Sequence, residues 1–396
     1  MMADRLDTAG VPAGERRMGR VMVAALGWGG GMAAVRMACS FVSIKITAVA
    51  LGPAGLALVA QFSNFVSLFQ SMLGQALTTG VVRLDAEYAQ DPPRRLRVRA
   101  TAARMLVALA VVFGLVMAVA SAPVAGWLLS DRAYAVLIAL SGIAVAAAMA
   151  TDLLNGTLSA VQEIGLVGRA TMASTILGLA VFAPCAYLWG VAGGLWGSFA
   201  VLVATAGVSA IVVRRRSRGV RLGDFRGAFD RTECRRLLGF YPMLLVNGAL
   251  APLTLILVRD ALVEHLGLDA AGLWQASWRL SEAYQAVILS STTLYFMPSM
   301  GARIGDPRAL RRQLLRTLAL ATGSTAALAA GIAILRVPIV HAVFSARFAP
   351  VAGLLPLQLA GDVLKMAGWI LAMALVAAMR TRRFIALAVI SAAGFA

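Results

Sequence analysis

The sequence predicts an all-α, polytopic integral membrane protein, and three observations support this prediction. Of its 396 residues, 60% are hydrophobic and the mean hydropathy is +0.82, whereas a soluble domain is about 45–50% apolar. The apolar residues form successive runs of at least about 20 residues, the length that crosses the hydrocarbon core of a bilayer as a helix. Arginines gather in the short segments between these runs, as they do in the loops of membrane proteins.

Ten apolar runs are long enough to span a bilayer. They lie at 22–50, 54–82, 104–129, 133–160, 165–189, 191–213, 237–260, 270–299, 313–335 and 350–379. An eleventh run begins at Phe384 and reaches the last residue after 13 residues, which is about 20 Å of helix against a core of about 30 Å. We therefore expect the second half of the fold to be incomplete in this chain.

The distribution of arginine predicts the orientation. The net charge is +18, and the densest positive charge lies in the N-terminal tail, 1–21, and in the segment 214–236. Cytoplasmic loops carry the excess of basic residues, so both segments are predicted to be cytoplasmic. No basic patch alternates with aromatic residues as in nucleic-acid-binding proteins, so nucleic acid is not an expected partner. The opposite, outer side is predicted to carry Arg132, Arg336, Arg347 and Arg259.

A weak internal repeat divides the chain into two halves. The segment 51–56 (LGPAGL) follows the first span, and the segment 266–273 (LGLDAAGL) follows the seventh. The expected organisation is an N-terminal bundle of six helices at 22–213, an arginine-rich linker at 214–236 and an incomplete C-terminal bundle at 237–396. Such paired halves are typical of transporters, whose substrate site lies between the repeats near the membrane midplane.

Four basic residues interrupt the predicted spans, namely Arg36, Lys45, Arg279 and Lys365. A cation at the bilayer centre costs roughly 2.5–3.5 kcal/mol, so such residues usually face a protein interior or a water-filled cavity. They therefore indicate an anionic ligand held at membrane depth. Arg36 and Lys45 are nine residues apart and lie on opposite faces of a regular helix. Arg36 is the deeper of the two, whereas Lys45 lies close enough to Gly52 for its ammonium group to reach the outer surface.

Three carboxylates also lie inside predicted spans. Arg279 and Glu282 are three residues apart, as are Asp362 and Lys365, so each pair shares a helix face. Either these are structural ion pairs, or the cations bind phosphate while the carboxylates take up a proton or sodium. Asp152 has no charged residue one turn away, so it is either a protonatable group or the partner of a cation on another helix.

The sequence shows no enzyme signature. It has no Ser/His/Asp set, no phosphate-binding loop and no acidic motif in an outer loop. The three cysteines, Cys39, Cys185 and Cys234, are isolated and lack metal-ligand spacing. We therefore predict neither a catalytic residue nor a metal site nor a cofactor.

Several segments resemble a known family. They are 51–62, 274–284 (WQASWRLSEAY) and 348–369, which includes the Gly361–Lys365 sequence GDVLK. They are similar to the O-antigen translocases and lipid III flippases, and the similarity extends from about Val21 over nearly the whole chain. These proteins belong to the multidrug/oligosaccharidyl-lipid/polysaccharide (MOP) exporter superfamily. The resemblance implies two pseudo-symmetric six-helix bundles around a central cavity that opens alternately to each side.

The resemblance also implies a function. The expected activity is the translocation of an undecaprenyl-pyrophosphate-linked oligosaccharide, an O-antigen unit or a lipid III-like molecule, across the bacterial inner membrane during polysaccharide biosynthesis. A polymerase and a chain-length regulator of the same pathway are the expected protein partners. Three alternatives remain open: a multidrug or cation antiporter of the same superfamily, a glycosyltransferase or polymerase acting on the same lipid, and a non-transporting component of polysaccharide assembly.

Overall fold

The computed structural model describes the backbone of residues 13–301 and 307–377. Within these ranges the side chains of residues 13–37, 243, 246–247, 287, 290–301, 307, 309–310 and 372–377 are not described. The α-helices are α1 Ala13–Glu87, α2 Pro92–Val119, α3 Ser121–Leu129, α4 Ala135–Ala139, α5 Ser141–Ala160, α6 Ile164–Arg216, α7 Arg231–Leu238, α8 Tyr241–Gly301, α9 Pro307–Ile334, α10 Arg336–Val343 and α11 Val351–Ala377. Short 3-10 turns occupy Arg132–Tyr134, Leu222–Phe225 and Ala346–Phe348. The predicted run from Phe384 lies outside the described residues.

Helices α1, α6 and α8 are each two spans joined at a glycine. Gly52, Gly190 and Gly267 have φ values of 67°, 56° and 86°, a region that residues with a Cβ atom rarely occupy. These glycines fall at the predicted breaks between spans, so the chain reverses direction there within a very short connection.

Six described helical segments are long and apolar enough to cross a membrane, and two of them, Ala38–Glu87 and Ile164–Arg216, contain such a glycine joint. Their length and composition confirm the predicted all-α membrane class.

Two of the joints are related by the internal repeat. Gly52 has φ 67° and ψ −173°, and Gly267 has φ 86° and ψ 169°, so the two backbones turn in nearly the same way. The backbones of the two halves lie close together beside these joints. A Cβ atom placed on Gly272 would lie only 2.0 Å from the carbonyl oxygen of Pro53. No side chain fits at this crossing.

The third span begins earlier than the sequence predicted. Helix α2 starts at Pro92, not at residue 104, because Asp91 caps it by accepting a hydrogen bond from the Arg94 backbone N–H and because proline is favoured in a first turn. The arginines expected in a loop therefore lie on a helix. Arg95 and Arg99 each pair with the buried Asp85 at 2.9 Å.

Two of the three apolar clusters formed by the described residues exchange residues between the halves. One apolar cluster is formed mostly by residues from 51 to 195 but includes Ile256. The other is formed mostly by residues from 276 to 370 but includes Ile44 and Ala48. The span before Gly52 thus contributes Ile44 and Ala48 to the cluster of the second half, and the span before Gly267 contributes Ile256 to the cluster of the first half. This sharing of core residues brings both spans to the interface between the halves.

Candidate functional site

The middle of the second half holds most of the predicted intramembrane charges. Arg279 and Glu282 follow the joint at Gly267 by 12 and 15 residues, which is about 18 and 22 Å of helix. Lys365 follows the start of α11 at Val351 by 14 residues, about 21 Å. Measured along the helices, all three therefore fall within the depth of a core about 30 Å thick.

Arg259, which the sequence placed on the outer surface, is instead buried. Its side chain is only 1% exposed, and it lies eight residues before Gly267, about 12 Å along the helix from the joint. The guanidinium donates to the side-chain oxygens of Gln61 and Gln275. Asn64, with its amide oxygen turned toward the guanidinium, accepts from the two terminal nitrogens at 3.0 and 3.1 Å. Arg259 therefore links a helix of the first half to α8.

Neutral groups alone provide these hydrogen bonds to Arg259. No described carboxylate lies within 4.0 Å of it, and its Nε atom is buried without an acceptor. Burying a cation without a counter-charge is costly, so a paired anion is the usual solution. The arrangement around Arg259 is suited to accepting an anion from outside the chain.

Two tryptophans on α8 connect Arg259 with Lys365. The Arg259 guanidinium lies 5.6 Å from the centre of the Trp274 ring, and the Lys365 ammonium lies 4.1 Å from the centre of the Trp278 ring. The two indole rings are 5.6 Å apart. Cations are attracted to the faces of indole rings, so this aromatic pair holds a positive charge at each end.

Glu282 is the carboxylate that interacts with all three of these cations. It accepts a hydrogen bond from the Trp278 indole N–H at 2.8 Å and interacts electrostatically with Arg259, Arg279 and Lys365. Arg279 and Glu282 share a helix face, but no direct ion pair between them is found within 4.0 Å among the described residues. We call Arg259, Arg279, Lys365 and Glu282 the basic cluster.

Asp362 is separated from Lys365 by its own hydrogen bonds. It is 1% exposed and accepts from the Tyr284 hydroxyl at 2.7 Å and from Gln358 Nε2 at 3.2 Å. Lys365 turns instead toward Trp278. Neither of the two possible ion pairs is found as a direct contact among the described residues. Three cations interact with Glu282, and Asp362 is hydrogen-bonded by neutral donors.

Comparisons with known proteins agree with this architecture. No protein-family model matches the chain. The lipid III flippase of Escherichia coli strain K12 is 25% identical over 364 residues, which cover 92% of this chain and 87% of the flippase. The inward-facing structure of a multidrug resistance MATE family transporter of the MOP superfamily superposes with a TM-score of 0.74 at 16% identity, covering 91% of this chain and 88% of the transporter. The fold is that of the MOP-superfamily transporters.

A second MOP-superfamily structure, a transporter from Pyrococcus furiosus, superposes with a TM-score of 0.62 at 18% identity and covers 90% of this chain and 83% of its own. Its published description refers to a binding pocket of reverse polarity that suggests a different function. The resemblance to the lipid III flippase and the MOP-superfamily fold are both confirmed by these comparisons.

Within this MOP-superfamily fold, two predicted site residues lie away from the basic cluster. The Lys45 ammonium donates to the carbonyl oxygen of Ala342 at 2.6 Å, at the end of the first span near Gly52. Asp152 accepts from Gln70 Nε2 at 2.7 Å, within the first half. The side chain of Arg36 lies outside the described residues. Roles in substrate binding for Lys45 and Arg36, and in ion coupling for Asp152, stay predictions.

The residues of this candidate site that the sequence did not identify are Arg259, Gln61, Gln275 and the tryptophan pair. Arg259 was assigned to a loop because it stands at the end of an apolar run. Trp274 and Trp278, four residues apart on one helix face, were the available signal, because aromatic faces four apart can stack and attract a cation.

Proposed function

We propose that this chain is a flippase that moves an undecaprenyl-pyrophosphate-linked oligosaccharide from the cytoplasmic to the periplasmic leaflet of a bacterial inner membrane. The observation that supports this most directly is the basic cluster, which sets three cations around one carboxylate at membrane depth. The relative named lipid III flippase, which matches over most of the chain, supports the same substrate class.

A pyrophosphate needs such a cluster in order to cross the bilayer. It is a compact anion, and leaving water for a medium of low dielectric constant is costly for it. One cation at about 4 Å contributes roughly 4 kcal/mol at an effective dielectric constant near 20. Arg279 and Lys365 are the accessible members of the cluster, since Arg279 is partly buried and Lys365 is exposed. Together with Arg259 they offset much of the cost.

Arg259 couples binding to movement of the two halves in this proposal. It is held by amide oxygens from both halves, and a phosphate oxygen is a stronger acceptor than an amide because it is charged. An anion that reaches Arg259 draws the guanidinium away from Gln61 and weakens the link between the halves. The glycine joints are the points at which neighbouring spans are connected, so they are where we expect the change in angle.

A cation or multidrug antiporter is the second candidate, because the superposed MATE transporter is named for multidrug resistance. The buried Asp362, held by Tyr284 and Gln358, would be the ion-coupling group in that case. The excess of cations in the cluster opposes a cationic substrate. Polymerase and chain-length-regulator partners, and a role in O-antigen, lipopolysaccharide or enterobacterial common antigen synthesis, follow from the flippase proposal.

Reconstituted vesicles test the proposal. Purified protein is incorporated with a fluorescent undecaprenyl-pyrophosphate oligosaccharide or with the same oligosaccharide on uncharged undecaprenol, and an impermeant quencher reports which leaflet each lipid occupies. We expect rapid exchange of the pyrophosphate lipid only. Equal exchange of both lipids, or export of a cationic dye without exchange of either, contradicts the proposal.

A further inference from the structure

A second concentration of arginine lies at the end of helix α6, far along the chain from the basic cluster. There the segment after Arg216 folds back and encloses an open cavity of about 460 Å³. Three arginines line it, Arg214, Arg221 and Arg226, together with Ser217, Gly223 and Leu222, while Val213 and Val220 are buried in the apolar cluster beneath them. The cavity therefore presents positive charge above a packed apolar base.

Hydrogen bonds to Glu163 fix the loop that forms this cavity. Glu163 accepts from the Ser217 hydroxyl at 2.5 Å and from the backbone N–H groups of Arg218 and Gly219 at 2.9 and 3.2 Å. Partial burial alone would raise the pKa of Glu163, but these hydrogen bonds and the nearby Arg218 charge hold its pKa below the ordinary value. The Glu163 carboxylate is thus ionised, and its oxygens accept hydrogen bonds from the loop.

The other nearby carboxylate, Asp224, also has hydrogen-bond partners outside the cavity arginines' side chains. Asp224 accepts from Arg99 Nη1 at 2.8 Å and from the backbone N–H of Arg221 at 3.0 Å. Among the described residues, none of the three arginines that line the cavity forms an ion pair. All three are exposed. The loop thus has a fixed backbone and presents three guanidinium groups that lack an acidic partner.

The position of the cavity identifies the chemistry of its ligand. Helix α6 is a membrane-spanning segment that ends at Arg216, so the cavity lies at the level of the lipid headgroups. Arginine binds phosphate through paired hydrogen bonds, and the phosphates present at this level of a bilayer are those of lipid headgroups. We propose that this cavity binds the phosphate headgroup of an anionic phospholipid. The proposal does not depend on the transported substrate.

The competing explanation is that these arginines only add to the general positive charge of this face. The chain offers a matched control, because Arg215 and Arg216 stand in the same last turn of α6 and Arg231 begins α7, all exposed and none lining the cavity. Changing these three residues removes the same charge from the same face. If the cavity is a binding site, only the change of its three lining arginines weakens lipid binding. If the positive charge of this face acts as a whole, both sets of changes weaken binding equally.

The local probe is Gly223→Cys, labelled with an environment-sensitive fluorophore after the native cysteines are replaced by alanine. Gly223 lines the cavity, and a Cβ atom there would meet nothing within 4 Å. The protein is placed in phosphatidylcholine nanodiscs with increasing phosphatidylglycerol, or in phosphatidylcholine alone with inorganic phosphate. We expect a saturable signal with phosphatidylglycerol and none with inorganic phosphate.

The triple variant Arg214→Gln/Arg221→Gln/Arg226→Gln should raise the phosphatidylglycerol fraction at half-saturation roughly tenfold or more, because each cation near an anionic surface contributes to binding. The control Arg215→Gln/Arg216→Gln/Arg231→Gln should shift it less than about twofold. Equal shifts in both variants, no saturable signal in the wild type, or the same signal with inorganic phosphate would overturn the proposal. If the triple variant does not fold, the single variants replace it, and single variants at Arg221 and Arg226 that leave half-saturation unchanged would overturn it equally.

Discussion

Arg259 donates a hydrogen bond to Gln61 across the interface between the two halves of the chain. The two residues are 198 positions apart in sequence, and a second donor of the same guanidinium reaches Gln275 on α8. Gln61 and Gln275 follow the repeat-related joints at Gly52 and Gly267 by nine and eight residues. One buried cation therefore contacts a glutamine that follows a glycine joint in each half.

The first prediction concerns Arg259→Met. The change relieves the cost of burying a cation without a contacting carboxylate, but it removes the donor from the buried Gln61 and Gln275 oxygens, which costs about 1–3 kcal/mol for each oxygen left without a partner. We expect the thermal unfolding midpoint to change by only a few degrees, while exchange of the pyrophosphate lipid in vesicles falls at least about tenfold. Arg336→Met, at an exposed position on α10, is the control and should leave exchange unchanged. Exchange near the wild-type rate in Arg259→Met contradicts the role proposed for this residue.

The second prediction separates substrate binding from internal pairing at Arg279. Arg279→Ala should abolish exchange, and Arg279→Lys should retain part of it because charge persists while paired phosphate geometry is lost. The double variant Arg279→Gln/Glu282→Gln should stay inactive, because no direct ion pair joins these residues. Exchange and protein level are measured together. A fully active double variant would show that the two charges only neutralise each other.

Much of the fold could be predicted from the sequence because span length and loop arginine are strong signals. The breaks at Gly52, Gly190 and Gly267 were located because each stands between two apolar runs. The start of α2 was missed because Asp91 and Pro92 begin the helix before the apolar run. Hydropathy does not detect this first part of the helix, which is rich in arginines that form ion pairs with Asp85.

The site was less predictable because its contacts join distant segments. Arg279, Glu282, Asp362 and Lys365 were found because charge inside a span is rare. Their contacts were not found, because helix periodicity points to a neighbour one turn away on the same helix. Asp362 instead accepts a hydrogen bond from Tyr284, and Lys365 contacts the Trp278 ring, both on another helix. Arg259 was missed because nothing in its local sequence distinguishes a buried arginine at the end of a span from a loop arginine.

The third prediction tests the joint at Gly267. Its φ of 86° with ψ of 169° is a conformation that residues with a Cβ atom adopt only at a cost of about 1–3 kcal/mol, although a Cβ atom there would meet nothing within 4 Å. Gly267→Ala should therefore lower the free energy of unfolding by about that amount. Gly323→Ala on α9 has the same open surroundings but a helical backbone, and should be neutral or stabilise by up to about 1 kcal/mol. Denaturant unfolding compares the two, and equal effects would contradict the argument.

The fourth prediction is the orientation in the membrane. Gly223 lies in the arginine-rich linker and Ala346 lies in the turn after α10, and both are exposed. In a background without the native cysteines, Ala346→Cys should react with an impermeant reagent in intact cells. Gly223→Cys should react only after the membrane is permeabilised, so that the reagent reaches its cytoplasmic face. Ser217 is less suitable for labelling because Glu163 holds its hydroxyl. Labelling of Gly223→Cys in intact cells would reverse the predicted topology.

The fifth prediction concerns the dependence of stability on pH at Glu163. Its pKa in the folded protein lies below the ordinary value of 4.5, because the hydrogen bonds from Ser217, Arg218 and Gly219 favour the ionised form over the cost of partial burial. A carboxyl group with a lowered pKa contributes stability that is present above its unfolded-state pKa and is lost as the pH falls through its folded-state pKa. Glu163→Gln should therefore unfold at a lower temperature than the wild type at pH 7, and the difference should shrink steadily below about pH 4.5. Glu264→Gln, at an exposed position, controls for the loss of one negative charge and should show a smaller difference at pH 7. A difference for Glu163→Gln that stays constant from pH 7 to about pH 3.5 would show that the side-chain shape, and not its charge, holds the loop.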